Sequence, residues 1–154
     1  MEDRLIFGEK EFEFLQELVR QKVDFIIVGL SAAALQGAPV VTQDIGLWFR
    51  KIPDRGLEKA LRKVGSIYVP PSGSNPPVFA GRGVELFDIV THMHGLGGFE
   101  EEMDNTIKIP LGRIKVMVLK LERIIDSKKA TGRDKDRRVL KVLSDALKTI
   151  REQE

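Results

Sequence analysis

The stretch "VDFIIVGLSAAALQGAPVVTQDIGLWF", residues 23–49, decides the fold of this chain. Its first part is a short apolar run, which is typical of a buried β-strand that ends at Gly29. "SAAALQG" then predicts a brief helix, with Ser31 as its N-cap and Gly37 as its stop. A glycine turn before a helix exposes backbone N–H groups to an anion, and the helix dipole favours negative charge there. Most such turns only change the direction of the chain, so the anion-binding interpretation depends on the next strand.

That strand is predicted from "QDIGLWF", residues 43–49, in which every second residue is apolar. The alternation gives it one buried face, formed by Ile45, Leu47 and Phe49. The opposite face begins with Asp44 and continues with Gly46. A glycine inside a strand costs backbone entropy and packs nothing, so its place two residues after an aspartate needs a reason.

Composition narrows the class of protein. A chain of 154 residues with 42% hydrophobic and 31% charged residues is typical of a single soluble globular domain. The sequence has no cysteine, which excludes disulfides, thiolate nucleophiles and thiolate metal ligands. No apolar run reaches the length of a membrane span and the acidic start is no signal peptide, so we expect no membrane association and a cytoplasmic location.

The net charge of +2 conceals an uneven distribution. Residues 1–28 carry seven acids and four bases, whereas residues 113–141 carry eleven bases and four acids. A basic C-terminal third is compatible with a polyanionic partner such as a nucleotide or nucleic acid. A solvated, lysine-rich helical surface explains the same composition equally well, and both interpretations stay open on charge alone.

The remaining periodicities alternate between helix and strand. Helical spacing or capping signals predict helices over residues 9–22, 53–65, 118–130 and 134–153. Strands are predicted over residues 66–69 and 84–91, with a hairpin over residues 107–117. These patterns predict an α/β (α+β) fold, with a small mixed β-sheet flanked by helices and a helical C-terminus.

No repeat or linker divides the chain. We therefore predict one domain over residues 1–154, with a core over about 20–117 and a C-terminal helix pair over about 118–152.

Three motifs together resemble the nucleotidyltransferase superfamily of minimal, DNA-polymerase-β-like domains, and in particular the groups related to abortive-infection toxin nucleotidyltransferases. The first is the glycine turn, helix and aspartate strand of residues 23–49. The second is "VELFDIVT", which resembles the strand that carries the family's third aspartate and places Asp88 in that position. The third is the family's C-terminal "K-x-x-x-G-R-x-K-D" pattern, matched by Lys128, Gly132, Arg133, Lys135 and Asp136.

The resemblance implies transfer of a nucleoside monophosphate from a nucleoside triphosphate to a protein, RNA or small-molecule acceptor. Magnesium ions neutralise the triphosphate in such reactions, and the resemblance makes Asp44 and Asp88 the catalytic, metal-binding carboxylates. It also implies a set of nucleotide-binding residues in the glycine turn and the basic helices: Gly29, Leu30, Ser31, Lys128, Arg133 and Lys135.

The chain departs from the family pattern at two central positions. Leu30 stands where a second glycine or a serine would approach the phosphates, and Gly46 stands where the second aspartate of Asp-x-Asp would bind metal. The resemblance therefore implies weak or altered magnesium binding and catalysis that is weakened or lost, as in a pseudoenzyme. We expect the exposed strand face to tolerate Gly46→Asp without a large loss of stability.

Two classes of function remain. The first is a nucleotidyltransferase with altered use of metal. The second is a non-catalytic module that binds a nucleotide, nucleic acid or partner protein, for example an antitoxin or helical partner in a toxin–antitoxin pair. His92 and His94 could replace the lost metal ligand, although solvated loop histidines are commoner. Trp48 could stack on a base, although burial under a helix is the commoner outcome.

Overall fold

The structure is a computed structural model that describes residues 8–154. Residues 1–7, which the single-domain prediction includes, lie outside the described range. Six α-helices are described: α1 Glu9–Arg20, α2 Gly29–Leu35, α3 Arg55–Lys63, α4 Phe99–Glu102, α5 Leu121–Thr131 and α6 Asp134–Glu152. Seven strands are described: β1 Phe25–Val28, β2 Ile45–Phe49, β3 Ile67–Val69, β4 Val78–Ala80, β5 Phe87–Val90, β6 Thr106–Leu111 and β7 Ile114–Leu119.

Five of the strands form one mixed sheet in the order β5-β2-β1-β7-β6. β1 is antiparallel to β2 and parallel to β7, while β2 is parallel to β5 and β6 is antiparallel to β7. The sheet is flanked by helices and the chain closes with α5 and α6, so the predicted α/β fold class is confirmed. The division into a core and a C-terminal helix pair stays a prediction.

The buried face of β2 forms part of the hydrophobic core. Ile45, Leu47 and Phe49 are at most 5% exposed, as their alternation predicts. α1 packs against the same face, because the ring of its Phe14 lies 5.3 Å from that of Phe87, which pairs with Ile45 in the neighbouring strand. This packing fixes one side of the sheet and leaves the side of Asp44 and Gly46 for the site.

Trp48 lies on that other side but does not face solvent. It is 4% exposed, and its ring meets the ring of Phe99 from α4 edge-on, with 5.9 Å between centroids. The preferred interpretation, burial under a helix, is confirmed.

Several predicted boundaries are wrong for local reasons. β5 begins at Phe87 instead of residue 84, because Arg82–Val84 forms a 3-10 turn. α5 begins at Leu121 instead of residue 118, because Val118 and Leu119 complete β7 and Lys120 is the N-cap. β4 and α4, which are three and four residues long, were not predicted, and β3 pairs with β4 in a separate two-stranded sheet.

No helix within residues 8–154 combines the length and the apolar character that crossing a lipid bilayer requires.

Candidate active site

All eight residues predicted to form the site line one cleft of about 480 Å³. The cleft lies where the C-terminal end of β1, the N-terminal end of β2, the strand β5 and the junction between α5 and α6 come together. The predicted residues in its walls are Gly29, Leu30, Ser31, Asp44, Asp88, Lys128, Arg133 and Lys135. Motifs that are far apart in the sequence therefore meet in one place.

The carboxylate wall is formed by Asp44 and Asp88. Asp88 lies on β5 and pairs with Gly46 of β2, and Asp44 precedes β2 with the same side-chain parity as Gly46. The backbone of Asp44 is held by Thr42, whose Oγ1 donates to the Asp44 carbonyl oxygen at 3.0 Å. Partial shielding from solvent raises the pKa of Asp88, and the nearby charge of Asp44 raises it further. The two carboxylates are thus close enough to repel one another.

Gly46 lies between these carboxylates and a wall of valine methyl groups. A Cβ atom added to Gly46 would lie 3.1 Å from Cγ2 of Val28, 3.3 Å from the Val28 carbonyl oxygen and 3.3 Å from Cγ2 of Val90. These separations are tighter than ordinary van der Waals contact. Gly46 itself is half-buried and lines the cleft, so a new side chain would require its neighbours to move by a few tenths of an ångström. The expectation that Gly46→Asp is tolerated without a large loss of stability stays a prediction.

The glycine turn differs from the prediction in one respect. α2 begins at Gly29, so Ser31 is not its N-cap, and the Ser31 hydroxyl instead donates a 2.7 Å hydrogen bond to the Val28 carbonyl oxygen. Gly29 has φ of +72°, a left-handed conformation that explains the glycine. No side chain caps the first turn of α2, and half-buried Leu30 lines the cleft beside it.

The basic wall is organised by a buried carboxylate. Arg133 Nε donates to Asp136 Oδ2 at 2.7 Å, and Lys128 Nζ lies 3.2 Å from Asp136 Oδ1. Asp136 is 1% exposed, and the hydrogen bond from Arg133 holds its pKa well below the usual range of an aspartate. Gly132, with φ of +64°, turns the chain between the two helices that carry these residues.

Asp136 belongs to the C-terminal motif but was not predicted as a site residue. The position of Asp136 in that motif could have marked it as a site residue. The motif does not show which cationic side chains pair with Asp136. Lys135 differs from Lys128 and Arg133 because no ion pair involves it within the described range, and it is exposed. Its charge is therefore available to a ligand.

His92 and His94 also line the cleft, with ring centroids 5.7 Å apart. Both are exposed, as loop histidines commonly are. Across the part of the chain that the structure describes, no group of three or more His, Cys, Asp or Glu side chains is placed to hold a metal ion. The histidines therefore do not complete a ligand set with the two aspartates.

The donor set nevertheless fits a divalent cation that also binds a phosphate ligand. Magnesium is commonly held by one or two carboxylates together with substrate phosphates and water. Asp44 and Asp88 supply two carboxylates that repel one another, and a cation between them would relieve that repulsion.

Comparison with known proteins shows the fold of the chain. No protein-family model matches it, and no curated protein matches it. Among solved structures it matches the crystal structure of ANT(2")-Ia in complex with adenylyl-2"-tobramycin, with a TM-score of 0.61, 88% of this chain and 86% of that chain covered, and 16% identity. That protein is an aminoglycoside nucleotidyltransferase, so this chain has a nucleotidyltransferase-like fold.

Proposed function

We propose that the cleft binds a nucleoside triphosphate together with magnesium, and that its chemistry is transfer of a nucleoside monophosphate to a protein, RNA or small-molecule acceptor. The observation that carries the proposal is that two carboxylates, Asp44 and Asp88, line the same cleft as the cations Lys128, Arg133 and Lys135. A triphosphate needs both kinds of group, because its oxygens bind cationic side chains directly and carboxylates through a metal ion.

Each wall has a distinct role in this proposal. Asp44 and Asp88 hold the magnesium ion, which neutralises charge on the phosphates when it is bound. Lys135 and Arg133 contact the phosphate oxygens. Lys128 pairs with Asp136, the carboxylate that also positions Arg133. The glycine turn at Gly29 presents backbone N–H groups beside them.

We further propose that the rate of transfer is low. Gly46 supplies no carboxylate, and Leu30 places an apolar side chain at the turn where phosphates would lie. Every ~1.4 kcal/mol of transition-state stabilisation that is lost lowers a rate about tenfold. The same two residues favour the second candidate, a non-catalytic nucleotide-binding module, in which the cleft holds the ligand without turning it over.

Isothermal titration calorimetry with each nucleoside triphosphate, with and without magnesium, tests the binding proposal. We expect binding that strengthens with magnesium and that weakens at least about tenfold in Asp88→Asn, because that change removes one of two carboxylate ligands. Asp104→Asn is the matched control, since Asp104 is exposed and lies outside the cleft.

Two results would contradict the proposal. The first is the absence of binding by all nucleoside triphosphates in the presence of magnesium. The second is binding that Asp88→Asn and Asp104→Asn affect equally, which would place the ligand outside this cleft. Release of pyrophosphate from the bound nucleotide, measured with candidate acceptors, then separates the transferase from the non-catalytic module.

A further inference from the structure

Gly46 lines the cleft without a carboxylate, and two valine side chains that also line the cleft pack tightly around its α-carbon. This arrangement limits the protein ligands that the cleft offers to metal ions. In the sheet, Gly46 pairs with Val28 on one side and with Asp88 on the other. Residues paired across neighbouring strands project to the same face, so the three lie in one row on the cleft side. The next residue of β5 with that parity is Val90.

The methyl groups of the two valines crowd the position at which a side chain of residue 46 would begin. The contacts of 3.1 Å to Val28 and 3.3 Å to Val90 involve carbons on two different strands, and the Val28 carbonyl oxygen at 3.3 Å belongs to the backbone of the sheet. A carboxylate at position 46 therefore cannot be added without displacing its neighbours.

Asp44 and Asp88 supply carboxylates to the cleft, and Gly46 stands where the family pattern places a further one. A two-metal site holds its ions about 3.5–4 Å apart. Asp44 and Asp88 can share one ion, but a second ion would find no carboxylate of its own, and within residues 8–154 no histidine or acidic residue joins them in a group of three.

We propose that the cleft is a single-cation site, in which Asp44 and Asp88 hold one divalent ion and the Val28–Gly46–Val90 surface replaces the ligands of a second. The inference rests on the proposed function for the nature of the cleft. With one ion, the cleft binds and orients a metal–nucleotide complex. No second metal ion is then present to bind the oxygen atom of the acceptor.

The test counts manganese ions bound to the full chain by electron paramagnetic resonance, first without nucleotide and then with a non-hydrolysable nucleoside triphosphate analogue. We expect one manganese ion per chain, bound through Asp88. The affinity for this ion should be more than about tenfold lower in Asp88→Asn and unchanged in Asp104→Asn. Two ions per wild-type chain that both depend on Asp88 would overturn the inference, and so would the absence of any ion that depends on it.

Variants at position 46 test the reason for the single ion. Gly46→Asp should still bind a single ion and lower the melting temperature, whereas Gly46→Asp combined with Val28→Ala and Val90→Ala should bind a second. A second ion in Gly46→Asp alone would show that the position is open and would overturn the inference. If the triple variant does not fold, the wild-type count still decides.

The two sets of measurements separate this inference from the proposed function. Nucleotide binding with two manganese ions per chain would leave the proposed function intact and remove the single-cation site. A single manganese ion that depends on Asp88, without any nucleotide binding, would support the single-cation site and remove the proposed function.

Discussion

Arg133 Nε donates a 2.7 Å hydrogen bond to Oδ2 of Asp136, a carboxylate that is 1% exposed at the start of α6. The second oxygen of this carboxylate lies 3.2 Å from Nζ of Lys128 on α5. Asp136 thus binds two cations of the cleft and joins the two closing helices. Because removing one member of a buried charge cluster leaves the others without compensation, this carboxylate is expected to matter for both stability and ligand binding.

Asp136→Ala should lower the free energy of unfolding by about 1.5–3 kcal/mol, the range for hydrogen bonds to charged groups. It should also weaken triphosphate binding, because Arg133 and Lys128 lose the contact that positions them. Urea unfolding and calorimetric titration measure the two effects. Asp134→Ala is the control, since Asp134 is exposed and makes only a 3.6 Å ion pair on the same helix. Equal losses in both variants would contradict the role given to Asp136.

Acid should destabilise the wild type through Asp136. The hydrogen bond from Arg133 lowers the pKa of this carboxyl in the folded state below the unfolded value of about 3.9. The unfolded chain therefore binds more protons as the pH falls, so the stability from Asp136 is complete above that value and is lost below it. Melting temperatures between about pH 5 and about pH 2 should fall less steeply in Asp136→Asn than in the wild type. Parallel curves would show that Asp136 does not contribute.

The elements that position the site were predictable because their signals are local. The alternation of Ile45, Leu47 and Phe49 predicts a strand wherever its partners lie. The placement of Asp44 and Asp88 at adjacent strands was implied by the family resemblance, and β2 does pair with β5. β4 and α4 are too short to show a period, so the sequence contains no pattern that predicts them. Ser31 suits an N-cap by its residue type, but the left-handed Gly29 starts the helix earlier.

The crowding around the α-carbon of Gly46 could not be predicted, because it depends on the register between neighbouring strands. The sequence shows that a carboxylate is missing there. It does not show that Val28 and Val90, 18 and 44 residues away along the chain, place methyl groups against the same α-carbon. The pairing of Asp136 with Lys128 and Arg133 could not be predicted for a related reason, because a motif fixes spacing along the chain and does not fix which charges meet.

Glu102 is the second buried carboxylate whose loss should be costly. It is 2% exposed, accepts from Arg123 Nη2 at 2.7 Å and from the backbone N–H of Gly97 at 2.9 Å, and so ties α4 and the preceding loop to α5. Glu102→Ala should lower the free energy of unfolding by about 3 kcal/mol, as expected when a buried pair loses one partner. Asp126→Ala removes the other, 50% exposed partner of Arg123 and should cost less than about 1 kcal/mol in urea unfolding. Similar costs would contradict the assignment.

Lys135 should contribute directly to ligand affinity, because its exposed charge lines the cleft. Lys135→Ala should weaken triphosphate binding roughly tenfold, which corresponds to the loss of one charge-assisted hydrogen bond of about 1.5 kcal/mol. The remaining affinity should also depend less on salt concentration, since one screened charge pair is gone. Lys148→Ala, at an exposed lysine in a groove between α5 and α6, should leave affinity unchanged in the same titrations. If the two substitutions weaken binding equally, affinity depends only on the net charge of the protein and Lys135 does not contact the ligand.

Gly46→Ala separates packing from chemistry, because it adds a methyl group and no charge. Replacing a glycine inside a strand by alanine normally stabilises the strand by about 0.5–1 kcal/mol through backbone entropy. Here the new Cβ would lie 3.1 Å from Cγ2 of Val28, so we expect a net destabilisation of about 1–3 kcal/mol from overpacking.

A double-mutant cycle with Val28→Ala then identifies the cause. Val28→Ala alone removes buried methyl groups and should destabilise the chain, yet it also removes the atom nearest to the new Cβ. The cost of Gly46→Ala should therefore be smaller in the Val28→Ala background, with a coupling energy of at least about 0.5 kcal/mol in urea unfolding. Val116→Ala, another buried valine in the same sheet, provides the comparison background, in which the cost should be unchanged. Additive costs in both backgrounds would mean that Val28 does not close the position, and Gly46 would then have to be explained by the missing carboxylate alone.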